Sequence, residues 1–416
     1  MKHKRILVIS LLGNILEYFD YTIFAVFSIQ IGKYFFSDYD QLTQVLWSLT
    51  IFGAGFITRP LGSMLFGHFG DKKGRRKTLI YTISGMAFST LLIGILPSYN
   101  QIGIYAPIML CLLRLCQGLF VGGEGAGAAV YVLEQNKVYN KGVIGGAIMS
   151  SNIFGATIAM IAGLVINQFT SESIAWRLLF VTGGVFGMII ILLRTSLPET
   201  AEYILVKKDA KVIRFPIVQL FQKYWRQVII SFLVGAFTSS VSYCTKAYVN
   251  VHFQQIMGYS INLSLAYSIF ALFFFMTLLP VFGFFANKHG DRKFMLSFTV
   301  VVILITPIAF KLISIEFMSA NLLGLFLIGS LAAGICSPIY PYMASMFPAN
   351  VRYTGVAVSF NLGIAFFGGF SPLFSTLITN WTGMKSGAFL YIITLGIIYL
   401  ITELIIDRTT SAKNKS

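Results

Sequence analysis

Residues 67–77 read GHFGDKKGRRK, and residues 283–293 repeat the pattern as GFFANKHGDRK. The two copies lie 216 positions apart, about half of the 416-residue chain, and each stands between two long apolar runs. A motif repeated at such a distance indicates a chain built from two similar halves. The glycines permit a tight turn and close helix approach, and Asp71 in the first copy can pair with neighbouring bases or cap a helix end.

The composition identifies a membrane protein. Hydrophobic residues make up 56% of the chain and charged residues 11%, against roughly 25% charged in soluble proteins, which excludes a soluble enzyme. The formal charge of +16 does not indicate a nucleic-acid partner, because the 39 Phe and 20 Tyr lie inside apolar runs rather than among clustered bases. The four cysteines and four histidines are scattered, so we expect no disulfide framework, no metal site and no cofactor.

Apolar runs long enough to cross a bilayer occur twelve times, since a span needs roughly 20 apolar residues. The first run continues past Glu17 and Asp20 without a cleavage site, so we interpret it as a span rather than a signal peptide. The expected fold is an all-α membrane protein of twelve helices in two six-helix bundles, residues 1–193 and 228–416, joined by a cytoplasmic linker at 194–227. The predicted spans are 8–30, 45–69, 78–97, 105–134, 142–167, 176–195, 228–252, 262–287, 293–312, 319–346, 354–379 and 386–406.

The distribution of basic residues predicts the orientation. Of the 31 Lys and Arg residues, 24 fall in segments on the same side as the N-terminus. Cytoplasmic loops carry such an excess. Both termini are therefore expected in the cytoplasm of a multi-pass protein of the plasma membrane, the inner membrane in a bacterium.

The loop at 67–77 resembles the signature of the major facilitator superfamily: Gly, two variable positions, a small residue, Asp, basic, variable, Gly, Arg, basic. The second copy departs from it, with Asn287 at the acidic position and Asp291 in place of Arg75. Within the superfamily the chain is similar to the metabolite:proton symporter family, which includes proline/betaine and dicarboxylate carriers. The matching residues are Gly13, Asn14, Glu17, Tyr18, Phe19, Asp20, Arg59, Pro60, Leu61, Gly62, Arg114, Gln117, Gly118, Gly122, Gly123, Glu124, Glu134, Trp176, Arg177, Pro198, Glu199, Phe347, Pro348, Arg352, Tyr353, Asn361 and Pro372.

Ten positions are candidates for the gate and its loops. Glu134 and Arg352 stand at inner helix ends of the two halves, where a gate contact is expected. The full set is Gly67, Asp71, Gly74, Arg75, Arg76, Glu134, Gly283, Asn287, Gly290 and Arg352.

Six charged residues stand well inside predicted spans: the acids Glu17, Asp20 and Glu124 and the bases Arg59, Arg114 and Lys246. A charge at the bilayer centre costs about 2.5–3.5 kcal/mol on insertion scales, so these side chains must face protein or a wet cavity. Three acids and three bases sum to zero, which suggests mutual compensation around one central chamber, although the sequence does not assign the pairs. Lys246 has the alternative of snorkelling to the surface.

The acids Glu17, Asp20 and Glu124 are the candidates for proton coupling. Glu17 and Asp20 share a helix face, which favours keeping a proton available. The candidates for substrate binding are Arg59, Arg114, Gln117, Lys246, Tyr18, Tyr21 and Asn361. The two tyrosines flank the acids, and aromatic rings can bound a site for a quaternary ammonium group.

These features and the resemblance imply a secondary transporter that imports a small zwitterionic or carboxylate metabolite with a proton, with a proline- or betaine-like substrate favoured. A dicarboxylate or tricarboxylate symporter, a proton-driven exporter and, from another class, a passive channel remain alternatives. No nucleophile with a base and no metal cluster indicates an enzyme. The expected partners are the substrate, the proton and the lipid bilayer, with the oligomeric state open; the short segment after the last span predicts no regulatory cytoplasmic extension.

Overall fold

The computed structural model describes residues 2–135, 141–199, 204, 216–347 and 352–413. All regular secondary structure in these ranges is helical, with no strand among them, which confirms the expected all-α class. Eleven helices in this part of the chain have the length and apolarity to cross a membrane. The first helix, Lys2–Val26, is not one of the eleven although it was predicted as a span. It carries Glu17 and Asp20 and packs against the helices at 141–169 and 172–194.

The first half of the chain contains nine described helices. Between 41 and 73 a single crossing is interrupted at Thr58, where Arg59 and Pro60 begin a second helix. The nine are α1 Lys2–Val26, α2 Ser28–Phe35, α3 Gln41–Ile57, α4 Arg59–Lys73, α5 Arg75–Ile95, α6 Tyr99–Ile102, α7 Tyr105–Gln135, α8 Lys141–Phe169 and α9 Glu172–Arg194.

The second half adds ten described α-helices and three π-helical segments. Two of the π-helical segments, Cys244–Tyr248 and His252–Ile256, interrupt one crossing, and the third, Ile364–Gly368, interrupts another. The α-helices are α10 Pro216–Lys223, α11 Trp225–Tyr243, α12 Val249–Val251, α13 Ile261–His289, α14 Asp291–Ile313, α15 Met318–Cys336, α16 Ile339–Met346, α17 Arg352–Gly363, α18 Ser371–Thr382 and α19 Phe389–Lys413.

The two halves meet along several helices. Helices α8 and α13 pack extensively against each other, and α17 packs against α4 and α7. We call the face at which α1 begins and the two repeated loops lie the terminal face, and the other side the opposite face. The orientation predicted from the basic residues places the terminal face in the cytoplasm.

The glycines of the repeated loop have the conformation that the repeat predicted. Gly74 has φ 105° and Gly290 has φ 90°, and each separates two helices at the same place in its half. Residues with a β-carbon rarely adopt such angles, so glycine is required at both turns. Gly67 and Gly283 lie buried in the preceding helices.

The loop of the first half is tied to the end of α9. The Glu199 carboxylate accepts hydrogen bonds from the backbone N–H of Arg75 (2.9 Å) and of Arg76 (3.3 Å), and the Arg76 guanidinium donates to the Thr195 carbonyl. Glu199 thus satisfies N–H groups at the start of α5 that have no partner within the helix. The side chains of the predicted gate residues Asp71, Glu134 and Arg352 lie outside the described part of the structure.

The second half binds its loop base with a different acid. Arg292 Nε lies 2.8 Å from Glu403 Oε1 in α19, and the Tyr342 hydroxyl donates to the same oxygen at 2.8 Å. Asn287 stands where the first copy of the motif has Asp71, so in this half the carboxylate that binds the loop base comes from another helix. Asn287 itself is exposed.

The predicted start of the linker at residue 194 is wrong by at least one residue. Helix α9 continues to Arg194, whose side chain is fully buried. Arg194, which the prediction placed in the cytoplasmic linker, therefore belongs to the bundle. The remaining limits of the two bundles and the linker stay predictions, because 200–203 and 205–215 fall outside the described residues.

Candidate functional site

Glu17 and Arg59 form a buried ion pair between the first two membrane crossings. Glu17 Oε1 lies 3.4 Å from an Arg59 terminal nitrogen, and each side chain is only 3% exposed. The interruption at Thr58 places Arg59 at the first position of α4. Its guanidinium also lies over the rings of Phe56 (4.1 Å) and Tyr21 (4.5 Å), so cation–π contacts share in balancing its charge.

Asp20 is the centre of a second buried network. Its Oδ2 lies 3.2 Å from an Arg114 nitrogen and accepts a hydrogen bond from Gln117, which also donates to the Thr90 hydroxyl at 2.9 Å. The Arg114 guanidinium covers the Phe24 ring at 3.9 Å. Three helices of the first half are joined in this way around one carboxylate.

Glu124 is paired with Arg194, a base that was not among the predicted site residues. Arg194 donates to both Glu124 oxygens, one at 2.8 Å, and to the Leu79 carbonyl at 2.7 Å. The Thr82 hydroxyl donates to the same carboxylate at 2.6 Å. Both oxygens of Glu124 are therefore occupied, and the arrangement joins α5, α7 and α9.

Lys246 comes from the other half and has no carboxylate partner in the part of the chain that the structure describes. It lies in the π-helical segment 244–248, is 4% exposed, and so does not snorkel to the surface. Its ammonium lies 4.3 Å from the Tyr18 ring centre and 4.1 Å from the Tyr243 ring centre. Among the described residues no carboxylate oxygen lies within 4.0 Å of its Nζ.

The buried charges of the described residues include one base and one acid beyond the six predicted, Arg194 and Glu403, so four bases stand against four acids. Glu403 pairs with Arg292, which is 43% exposed, and the three ion pairs of the first half leave Lys246 without a carboxylate. The expectation of six charges around one central chamber is wrong, because of these six only Glu17 and Arg59 line the cavity described below. Asp20, Arg114 and Gln117 are enclosed within the first half, and Glu124 is enclosed with Arg194.

One cavity lies between the halves. The volume open to the centre of a water molecule is about 30 Å³, enough for about two waters, so a substrate needs the halves to separate further. Asn361 of α17 lines it, and its amide donates to the Ser63 hydroxyl at 2.8 Å across the interface. The lining residues are Glu17, Tyr18, Arg59, Val121, Gly125, Asn152, Tyr340, Val356, Ala357, Phe360, Asn361 and Ile364.

Aromatic side chains close the cavity toward the opposite face. The Tyr243 ring of the second half lies 5.1 Å from that of Phe56, and Tyr21 lies 4.9 Å from Phe56. Nearer that face, the Asn250 amide donates to the Val26 carbonyl at 3.4 Å. Tyr21 is therefore packed inside this aromatic layer and does not line the cavity, whereas Tyr18 does.

Comparisons with known proteins agree on the family. The sequence model of the Major Facilitator Superfamily matches residues 10–370. A Staphylococcus aureus (strain COL) protein is 29% identical over 99% of this chain and 90% of its own length. The "Proline/betaine transporter" of Escherichia coli (strain K12) is 28% identical over 99% of this chain and 84% of its own length.

Solved structures agree on the fold. A D-xylose-proton symporter superposes with a TM-score of 0.74 at 15% identity, covering 96% of both chains. The xylose transporter XylE from E. coli, in a partially occluded inward-open conformation, gives a TM-score of 0.76 at 15% identity over 96% of each chain. At these identities the likeness concerns the fold alone.

Proposed function

Because the chain belongs to the major facilitator superfamily and is a membrane transporter rather than an enzyme, we propose that it carries a small zwitterionic or carboxylate metabolite together with a proton. The observation that carries this proposal is the cavity between the halves, with a buried carboxylate in its wall and an unpaired lysine beside it. A proline- or betaine-like substrate is favoured, since the E. coli relative is named for these compounds.

The proton is assigned by elimination among the three buried acids of the first half, Glu17, Asp20 and Glu124. Glu124 receives donors at both oxygens, whereas Asp20 Oδ1 and Glu17 Oε2 are buried and receive no hydrogen bond in the described residues. Such an oxygen can take a proton without displacing a donor. Glu17 lines the cavity where substrate binds, which leaves Asp20 for the proton.

Protonation of Asp20 gives a way to couple the proton to movement. It removes the negative charge that holds Arg114 and Gln117 against α1. The contact between α1 and α7 then weakens, so that the first half can rearrange. The two bundles would rock about the central cavity to expose it to one face and then the other.

Uptake into proteoliposomes tests the proposal. The purified protein should accumulate radiolabelled proline or glycine betaine when the proton gradient points inward, with oxoglutarate, citrate and shikimate as the carboxylate alternatives. Asp20→Asn should abolish accumulation while sparing exchange of substrate across the membrane. Asp38→Asn, at an exposed loop position, is the matched control and should behave as the unaltered protein.

Four results would contradict the proposal. Accumulation that survives dissipation of the gradient would refute proton coupling. Unaltered concentrative uptake by Asp20→Asn would remove this carboxyl from the mechanism. Flux that never exceeds equilibrium would indicate a passive channel, and extrusion of substrate driven by the gradient would indicate an exporter.

A further inference from the structure

Two polar groups of opposite charge, neither of which has a hydrogen-bond partner in the described residues, are connected through Tyr18 at the cavity. The first is the Lys246 ammonium, held between the rings of Tyr18 and Tyr243. The second is Glu17 Oε2, which is buried in the cavity wall and receives no hydrogen bond from the described residues. Tyr18 follows Glu17 in the chain, contacts Lys246 and lines the cavity, so it connects the two groups.

The other buried bases of the described residues each have a carboxylate partner. Arg59 and Arg114 each have a carboxylate within 3.4 Å and an aromatic ring within 4.1 Å. Arg194 holds both oxygens of Glu124. Arg59 Nε and Nη2 have no acceptor in the described residues, but the charge of Arg59 is already balanced by Glu17. Among the buried bases of the described residues Lys246 alone has no carboxylate partner, so it can pair with one substrate carboxylate, and not with two or three, without sharing an existing ion pair.

Resting on the proposed transport function, we propose that Lys246 and Glu17 form a two-point site for the zwitterion of an α-amino or α-imino acid. The substrate carboxylate pairs with the Lys246 ammonium, and the substrate N–H groups donate to Glu17 Oε2. In the empty carrier the faces of Tyr18 and Tyr243 take the place of the carboxylate. The Tyr18 ring turns aside when the halves separate and substrate enters.

This site distinguishes among zwitterions. A secondary or primary ammonium group can donate a hydrogen bond to Glu17, whereas a quaternary ammonium has no N–H to donate. Sites built to bond an N–H group discriminate strongly against analogues that lack it, because the buried acceptor is then left unpaired. The carrier should therefore prefer proline over its N,N-dimethyl derivative, in which the carboxylate is unchanged.

Competition by substrate analogues, measured on the unaltered protein and on variants, tests Lys246 and Glu17 separately. The readout is exchange of radiolabelled proline in proteoliposomes, because exchange does not need the proton gradient. In the unaltered protein, prolinamide should compete at least about 30-fold more weakly than proline, because it cannot pair with a buried ammonium. N,N-dimethylproline should compete about 10-fold more weakly. In Lys246→Met, proline and prolinamide should compete almost equally, while the preference for proline over N,N-dimethylproline persists. In Glu17→Gln, the preference over N,N-dimethylproline should fall, while the preference over prolinamide persists.

Control variants separate a local effect from misfolding. Lys246→Arg keeps the charge and should retain the preference for proline over prolinamide. Lys311→Met and Glu316→Gln make the same chemical changes at exposed positions and should leave both ratios unchanged. The ratios compare two ligands on one protein, so they do not depend on the amount of folded carrier.

The outcomes distinguish this proposal from the transport function. Proline exchange with both ratios unaltered in Lys246→Met and Glu17→Gln would overturn the two-point site and leave symport intact. Exchange of dicarboxylates but of no zwitterion would overturn the site and keep a carboxylate transporter. A protein that exchanges none of these compounds would contradict both.

Discussion

Adding a single methyl group at Gly53 or Gly369 should bias the carrier toward opening at the opposite face. The two glycines face phenylalanines of the other half in reciprocal fashion. A β-carbon at Gly53 would lie 2.4 Å from Phe370 Cδ1, and one at Gly369 would lie 2.4 Å from Phe56 Cγ. Carbon atoms in contact normally stand about 3.5–4.0 Å apart, so the halves cannot approach this closely once either methyl group is present.

The expected magnitude follows from the size of the overlap. Forcing an extra carbon into a packed interface typically costs about 1–3 kcal/mol. The clash exists only while the two halves are closed at the opposite face. The same cost therefore shifts the equilibrium between the state closed at that face and the state open at it by about 5- to 150-fold. Gly369→Ala should give the larger effect, since its β-carbon meets the root of the Phe56 ring and also its Cβ, at 2.8 Å.

Thiol labelling measures the shift. In a background with the four cysteines replaced by serine, Asn250→Cys reports opening, because Asn250 bonds across the interface to Val26. A membrane-impermeant maleimide added from the opposite face should label this cysteine faster in Gly53→Ala and Gly369→Ala. Gly85→Ala is the matched control: its β-carbon would meet Phe120 at 2.3 Å, but both residues belong to the first half.

Equal labelling rates in Gly369→Ala and the parent protein would refute the reasoning. Faster labelling in Gly85→Ala as well would show that general loosening, rather than separation of the halves, exposes the cysteine.

Three further predictions concern stability. Arg194→Met should lower the free energy of unfolding in detergent by about 3–5 kcal/mol, since it leaves the buried Glu124 unpaired, and adding Glu124→Gln should recover part of the loss; a cost below about 1 kcal/mol would contradict this. Glu403→Gln should cost about 1.5–3 kcal/mol through weaker bonds to Arg292 and Tyr342, measured by thermal unfolding, whereas Glu316→Gln at its exposed pair with Lys385 should cost less than about 1 kcal/mol. Hydrogen bonds from Thr43 lower the pKa of Asp40 below 3.8 in the folded protein. The ionised Asp40 therefore stabilises the fold fully above pH 3.8, and this contribution is lost as the pH falls below that value. In Asp40→Asn the melting temperature should fall less on acidification than in the unaltered protein.

The sequence predicts those features that depend on local chemistry. The glycine turns at Gly74 and Gly290 were predictable because a positive φ is a requirement of the residue itself. Burial of Glu17 and Arg59 was predictable because each stands inside a long apolar run, whereas the sequence left Lys246 the alternative of snorkelling to the surface. Neither inference needs to know which helices become neighbours.

Pairing depends on helix rotation and packing, which the sequence does not specify. Arg194 stands at the end of an apolar run, where the excess of bases in cytoplasmic loops favours a solvated residue. Its burial follows from the contacts of α9 with α1 and α5, which bring it to Glu124. The same packing encloses Asp20 and Arg114 away from the cavity, so that a count of six charges could not show which of them a substrate meets.

The location of the ion pairs explains how such a site can coexist with movement. Glu17–Arg59, Asp20–Arg114 and Glu124–Arg194 lie within the first half, and no ion pair in the described residues joins one half to the other. The contacts across the interface in the described residues include single hydrogen bonds from Asn361, from Asn250 and from Ser150, whose hydroxyl donates to the Met276 carbonyl at 3.2 Å. Aromatic and glycine packing and Lys246 over Tyr18 complete the set. Breaking a buried ion pair costs about 3–5 kcal/mol, whereas a hydrogen bond contributes about 0.5–1.5 kcal/mol. The strong interactions thus keep the first half rigid as long as Asp20 is ionised, and the weak ones are those that must break and re-form when the halves separate.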